Sequence, residues 1–178
     1  MFNHLLQIAS FQSKPQNFKS PIWAILLFSI FFIAVQGYAL SLSPGNDLTR
    51  MMVASFLKIL TIAALLFMWL NSLKQGEHFP STFLVIVVTS FMTELIKFPL
   101  STMIRETEMN QDVMMAIVYS LPLWATVIWQ YCVWYYVLKE VSSRAKGELI
   151  TVMIVLVMVS EVAGSVLSQI GAPVEGFS

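Results

Sequence analysis

Four ionisable side chains lie inside long apolar runs of this sequence: Lys58, Glu94, Lys97 and Glu161. Charges in a bilayer are expensive, so they normally face a bundle interior and mark an ion, proton or substrate path. Because two are basic and two are acidic, they could instead form a structural network that fixes which helix packs on which. A third interpretation is that Lys58 and Lys97 extend their ammonium groups to the membrane surface.

The apolar runs that carry these charges predict transmembrane helices. The chain of 178 residues is 57% hydrophobic and 11% charged, whereas soluble domains are about 45–50% apolar and about 25% charged. A spanning helix needs about 20 apolar residues, and backbone groups in lipid must pair within the segment. The sequence therefore predicts an all-α polytopic membrane protein with spans at about 21–41, 50–71, 81–104, 113–138 and 149–171.

The segments that flank this membrane domain (residues 21–171) are short. Residues 1–20 form a polar lead-in, and its first part, MFNHLLQIASFQ, spaces apolar side chains as a short amphipathic surface helix does. Residues 172–178 form a short tail. We expect no soluble domain.

Depth along the spans places the four charges in one layer. At about 1.5 Å per residue, Lys58 lies about 12 Å below the outer end of the second span, which is the end near residue 50. Lys97 lies about 10 Å below the outer end of the third span, which is the end near residue 104. Glu94 and Glu161 each lie about 15 Å below the outer ends of their spans. Glu94 and Lys97 are i, i+3 neighbours that can pair directly. Lys58 and Glu161 can pair only if the second and fifth spans touch.

Two prolines lie at a similar depth and are candidate helix breaks. Pro99 removes the hydrogen bond to the carbonyl of Leu95, and Pro122 removes the one to Val118. Transporters build binding sites from broken helices near the midplane. Ordinary membrane helices also tolerate proline, so both interpretations stay open.

The fifth span carries a stripe of small residues. Ser160, Gly164 and Ser168 recur every four residues, a spacing that lets another backbone approach closely. We predict a helix-packing face there. Its neighbour could be the same chain, a second copy or another protein.

The distribution of basic residues predicts the topology. One side of the membrane collects six of them: Lys14, Lys19, Lys74, Lys139, Arg144 and Lys146. The other side has Arg50 and Arg105, so the N-terminus is expected in the cytoplasm and the C-terminus outside. An aromatic belt at the cytoplasmic surface agrees with this: Trp23, Trp69, Trp134, Tyr135 and Tyr136. Short loops and this bias fit a multi-pass protein of a bacterial inner (plasma) membrane.

Motifs for catalysis, cofactors and nucleic acid are missing from the sequence. It has two histidines and one cysteine, Cys132, too few for a metal site, and we expect Cys132 to pack as a small apolar side chain. There is no phosphate-binding glycine motif and no basic run for nucleic acid. We therefore predict a protein that is not an enzyme and holds no cofactor. A lipid-acting enzyme that pairs Ser55 or Ser90 with Lys58 is the least favoured alternative.

A resemblance rests on KPQNFKSP (14–21) directly before the first span and on TELIKFP (93–99) within the third. With five helices and the predicted topology, these resemble the Yip family (Ypt-interacting proteins) and its short bacterial inner-membrane relatives. The resemblance implies a polytopic scaffold or assembly protein and supplies no catalytic residues.

Two functions follow as expectations. The first is a non-enzymatic scaffold, assembly factor or accessory subunit of a membrane complex, in contact with lipid and with other membrane proteins or further copies of itself. The alternative is a small transporter or channel in which Glu94 or Glu161 carries a proton or ion, beside Lys58 and Lys97.

Overall fold

The computed structural model describes Gln7 and residues 20–42, 46–109 and 113–169, apart from the side chains of residues 108 and 167–169. Within these ranges it is all-helical, with α1 (Ile22–Ser41), α2 (Leu48–Ser72), α3 (Phe79–Met109), α4 (Val113–Ser142) and α5 (Lys146–Gln169). All five helices are long and apolar enough to cross a membrane. Apart from Gln7, the predicted amphipathic helix lies outside the described residues, as does the tail.

Several helices run past the ends of the predicted spans. Helix α3 ends at Met109 rather than 104, α4 ends at Ser142 rather than 138, and α5 begins at Lys146 rather than 149. Hydropathy detects only the part of a helix that lies in hydrocarbon, whereas Arg, Glu and Lys continue a helix well in water. The predicted polar loops at 105–112 and 139–148 are therefore partly helical.

Local signals account for where the helices begin and approach one another. The Asp47 carboxylate caps α2 by accepting the N–H of Arg50 at 3.0 Å. Gly37 of α1 faces Met52 of α2, and a Cβ at Gly37 would lie 2.8 Å from the Cγ and 3.0 Å from the Cα of Met52. The α1–α2 crossing therefore requires a residue without a side chain.

The five helices are arranged as a ring with a loose seam. Helix α4 packs on α3, α3 on α1, α1 on α2, and α2 on α5. Helices α4 and α5 pack only sparsely on each other, although a short turn at 143–145 joins them. Residues 81–90 of α3 are buried on every side, as in a helix segment that other helices cover all round.

The tightly packed core occupies one half of the bundle, near the α2–α3 and α4–α5 connections. Its fully buried side chains come from four helices: Leu66, Leu70, Leu84, Ile86, Val137, Leu138 and Leu149. At the opposite end, most large apolar side chains in the first turns of α4 are exposed. This packed half lies on the side that the basic residues predict to be cytoplasmic.

Two sequence-based expectations about side chains in α4 are wrong. Trp134 does not face lipid in an aromatic belt, because it is buried and its Nε1–H donates to Thr89 Oγ1 at 3.1 Å. Cys132, which was expected to pack as a small apolar side chain, is exposed. Position along a span fixes the depth of a side chain, whereas its direction depends on which helices lie alongside.

Candidate polar site within the bundle

The structure joins the four intramembrane charges in two ion pairs. Within α3, Lys97 Nζ donates to Glu94 Oε1 at 2.9 Å. Between helices, Lys58 Nζ of α2 donates to Glu161 Oε1 of α5. The second pair needs contact between α2 and α5, and the ring arrangement provides it.

All four charged side chains line two adjoining cavities at the centre of the ring. The larger cavity, here called the polar chamber, has a volume of about 530 Å³ and is also lined by Gln36 of α1 and Leu123 of α4. The chamber reaches Asn46 in the α1–α2 connection, which lies on the predicted outer side. The smaller cavity, of about 60 Å³, lies against Phe32, Ile62 and Trp134. Because these three side chains are buried, the packed half closes the site at that end.

Each ion pair has one partly buried member and one more accessible member. The side chain of Glu94 is 14% exposed and that of Lys97 is 34% exposed. Lys58 is 18% exposed, whereas Glu161 is 60% exposed. Since Glu161 lines both cavities, its accessible carboxylate contacts the space that a solute would occupy.

Gln36 supplies an acceptor that the described residues leave unused. Its side chain is only 6% exposed, and its Oε1 has no hydrogen-bond partner within that part of the chain. A buried polar group without a partner costs about 1–3 kcal/mol. Because Gln36 lines the chamber, a water molecule or the N–H or O–H group of a bound solute would satisfy this oxygen.

One further polar residue of this site, Gln130, was missed from the sequence, and it is hydrogen-bonded to Ser90. Gln130 Nε2 of α4 donates to Ser90 Oγ of α3 at 3.0 Å, and both line the smaller cavity. A signal for Gln130 was available. Its side chain is a lone amide within an apolar run.

The two candidate helix breaks do not interrupt their helices. Helices α3 and α4 continue through Pro99 and Pro122. These two helices therefore do not form the kind of binding site that some transporters build from discontinuous helices. Both prolines nevertheless lie beside the chamber wall, since their neighbours Phe98 and Leu123 line it.

The stripe of small residues faces α2 of the same chain over the positions that can be described. Ser160 is buried and lines the smaller cavity. A Cβ on Gly164 would lie 3.7 Å from the Ala54 carbonyl oxygen and 4.0 Å from Lys58 Cβ. These are ordinary contact distances, so this crossing does not require glycine. The side chain of Ser168 lies outside the described set.

Neither Ser55 nor Ser90, the two serines considered as partners of Lys58, is prepared as a nucleophile by it. Ser55 Oγ donates to the carbonyl of Met51 at 2.9 Å, and Ser90 Oγ donates to that of Ile86 at 2.7 Å. The ammonium of Lys58 is paired with Glu161 instead. Across the described ranges, no three His, Cys, Asp or Glu side chains gather as metal ligands would.

The fold and the site together define a class: a helical protein with five membrane-length helices that enclose a charged chamber. No family model, no curated protein and no solved structure matches this chain. The resemblance to the Yip family therefore stays a prediction.

Proposed function

We propose that the protein binds a small polar solute or ion in the polar chamber and acts as a small transporter or channel. The observation that carries this proposal is the chamber itself, which places charges of both signs and the unused acceptor of Gln36 around one space. Its volume of about 530 Å³ is within the range of about 300–1,000 Å³ found for ligand sites. Ionisable residues that face such a cavity in a membrane are functional candidates.

The ion pairs suggest how an empty site stays stable. Lys58 and Glu161 neutralise each other when nothing is bound, so no uncompensated charge is left inside the bundle. An entering ion or zwitterion exchanges this internal pair for contacts of its own. Glu161 is the residue best placed to make the first contact, because it is the most exposed of the four.

Water access to the chamber can be tested with introduced cysteines. In a Cys132→Ser background, Ser165→Cys places a thiol in the chamber lining. Val166→Cys, one residue further on, is exposed but lines neither cavity and serves as the matched control. A membrane-impermeant thiol reagent reacts with thiols in water, so we expect it to label S165C and spare V166C. Equal labelling, or none at S165C, would remove the chamber as a solute site.

Transport itself is tested in reconstituted vesicles. Purified protein in liposomes should carry H⁺, Na⁺ or K⁺ faster than protein-free liposomes, and Glu161→Gln should reduce that flux. Glu148→Gln is the matched control, because Glu148 pairs with Arg144 near the start of α5 and not in the chamber. If S165C is labelled but the wild type carries none of these ions, the chamber does not serve as a path for ions.

A second candidate is a non-enzymatic scaffold, assembly factor or accessory subunit. It is favoured by the closure of both ion pairs within one chain, which a structural network requires. Extraction from native membranes in a mild detergent, followed by determination of the mass and composition of the particle, tests it. Partner proteins in fixed stoichiometry would support this candidate, whereas a chain that is extracted alone would leave transport as the better proposal.

A further inference from the structure

The seam between α4 and α5 contains a cavity that is larger than either of the two central cavities. It is an open groove of about 920 Å³ with one wall from each helix. Its walls are almost entirely apolar and include Ile128, Ile154 and Met158, each of which is more than half exposed. The groove shares Tyr131 and Val157 with the smaller of the two central cavities but none of the four charged residues.

The only charged residues of the groove lie together at one end. Lys139 lies in the last turn of α4, and Lys146 is the first residue of α5, on the other side of the connecting turn. Neither lysine has an ion-pair partner within the described ranges. In contrast, nearby Arg144 pairs with Glu148 at 3.7 Å. Within the described part of the chain, two unpaired ammonium groups therefore lie where an apolar groove meets the membrane surface.

The length of the groove matches one leaflet of a bilayer. From Lys139 to Ile128, and from Lys146 to Met158, the walls extend about 16–18 Å at about 1.5 Å per residue. Half of a hydrocarbon core of about 30 Å is about 15 Å. The groove therefore extends from the headgroup region to the bilayer centre, which is the depth that an acyl chain spans.

We infer that this groove binds one anionic phospholipid. Its acyl chain lies between α4 and α5, and its phosphate group contacts Lys139 and Lys146. The charge complementarity of two lysines and a phosphate selects the headgroup, and basic sites between transmembrane helices on the cytoplasmic side are known to take such headgroups. The positive-inside rule places these lysines in the cytoplasmic leaflet. The site is separate from the polar chamber, so it stands or falls independently of the proposed transport.

Native mass spectrometry of the purified full chain can test this site. The probes are phosphatidylglycerol and phosphatidylcholine, added at equal mole fraction to the detergent micelles. We expect one phosphatidylglycerol per chain, retained at least about tenfold more strongly than phosphatidylcholine. Lys139→Gln and Lys146→Gln should each lower this retention about fivefold, because one lysine near an anionic surface contributes that much. Lys74→Gln, a lysine on the same predicted side that does not line the groove, should leave it unchanged.

Binding of the acyl chain to the apolar walls of the groove can be tested with a second set of variants. Ile154→Trp fills the groove from α5 and should reduce retention of both lipids, whereas Val155→Trp, on an exposed face outside the groove, should not. If I154W does not fold, Ile128→Trp fills the facing wall. Equal retention of the two lipids by the wild type, or unchanged retention in the lysine variants or in the folded tryptophan variant, would overturn the site. Efficient crosslinking of two copies through Cys132, which also lines the groove, would show that protein fills it instead.

Discussion

The two ion pairs of the polar chamber should respond unequally to loss of one partner or the other. Removing Lys97 leaves Glu94, which is 14% exposed, as an uncompensated charge. Removing Glu94 leaves Lys97, which is 34% exposed and has a long side chain that can move toward the surface. We therefore predict that Lys97→Met destabilises the protein more than Glu94→Leu does.

Burial sets the size of these effects. Breaking a buried ion pair by removing one partner costs about 3–5 kcal/mol, because the remaining charge stays buried. An exposed pair contributes only about 0–1 kcal/mol. K97M should thus cost about 3 kcal/mol and E94L about 1 kcal/mol. The interhelical pair has the same asymmetry: Glu161→Leu isolates Lys58, which is 18% exposed, whereas Lys58→Met isolates the far more exposed Glu161.

A double-mutant cycle in detergent micelles measures these differences. Unfolding free energies would be obtained for the wild type, each single variant and the E94L/K97M double variant. Because replacing both members of a buried pair by apolar residues is often neutral or stabilising, the double variant should lie within about 1 kcal/mol of the wild type. If the double variant is as unstable as K97M, or if E94L is the more damaging single change, the pairing argument is refuted.

Two further predictions concern helix packing. Gly37→Ala should destabilise the protein by about 1–3 kcal/mol, because the added Cβ would lie 2.8 Å from Met52. Gly164→Ala should be neutral or stabilising, because its added Cβ would make ordinary contacts. The unfolding free energies of the two variants are measured in the same micelles, and equal losses would contradict the close approach of α1 to α2 at Gly37. Trp134→Phe should cost about 1–2 kcal/mol through the lost bond to Thr89, and unchanged unfolding of this variant would show that the indole hydrogen bond contributes nothing.

Hydropathy alone was sufficient to predict five membrane-length helices, because the cost of burying polar backbone and charge in lipid acts on every residue of a span. The relative level of residues on different helices could be predicted as well. The rise per residue placed Lys58 and Glu161 in the same layer, and the structure pairs them. Local spacing likewise suggested the pair of Glu94 and Lys97. These inferences needed only the position of a residue along its own helix.

The order of the helices around the ring could not be predicted. Nothing in the composition of α4 and α5 shows that they separate into a groove, although a short turn connects them. For the same reason, Trp134 was expected in an aromatic belt and Cys132 was expected to pack as a small apolar side chain, whereas the structure buries Trp134 and exposes Cys132. The direction of a side chain depends on neighbouring helices that are distant in sequence.

The division of the bundle into a packed half and an open half bears on the proposed transport. Leu66, Leu70 and Leu138 close one end with side chains that are fully buried. A charge at that level would have no partner and no solvent, so the charged residues can lie only where the helices separate. The same closure means that the chamber does not open at the packed end of the bundle. A transport cycle would therefore require Phe32, Ile62 and Trp134, which lie against the inner end of the site, to move apart. Trp134→Ala, which removes the largest of these side chains, should accordingly raise ion leakage through reconstituted protein if the chamber is a path, and should leave it unchanged if the chamber only holds the helices together.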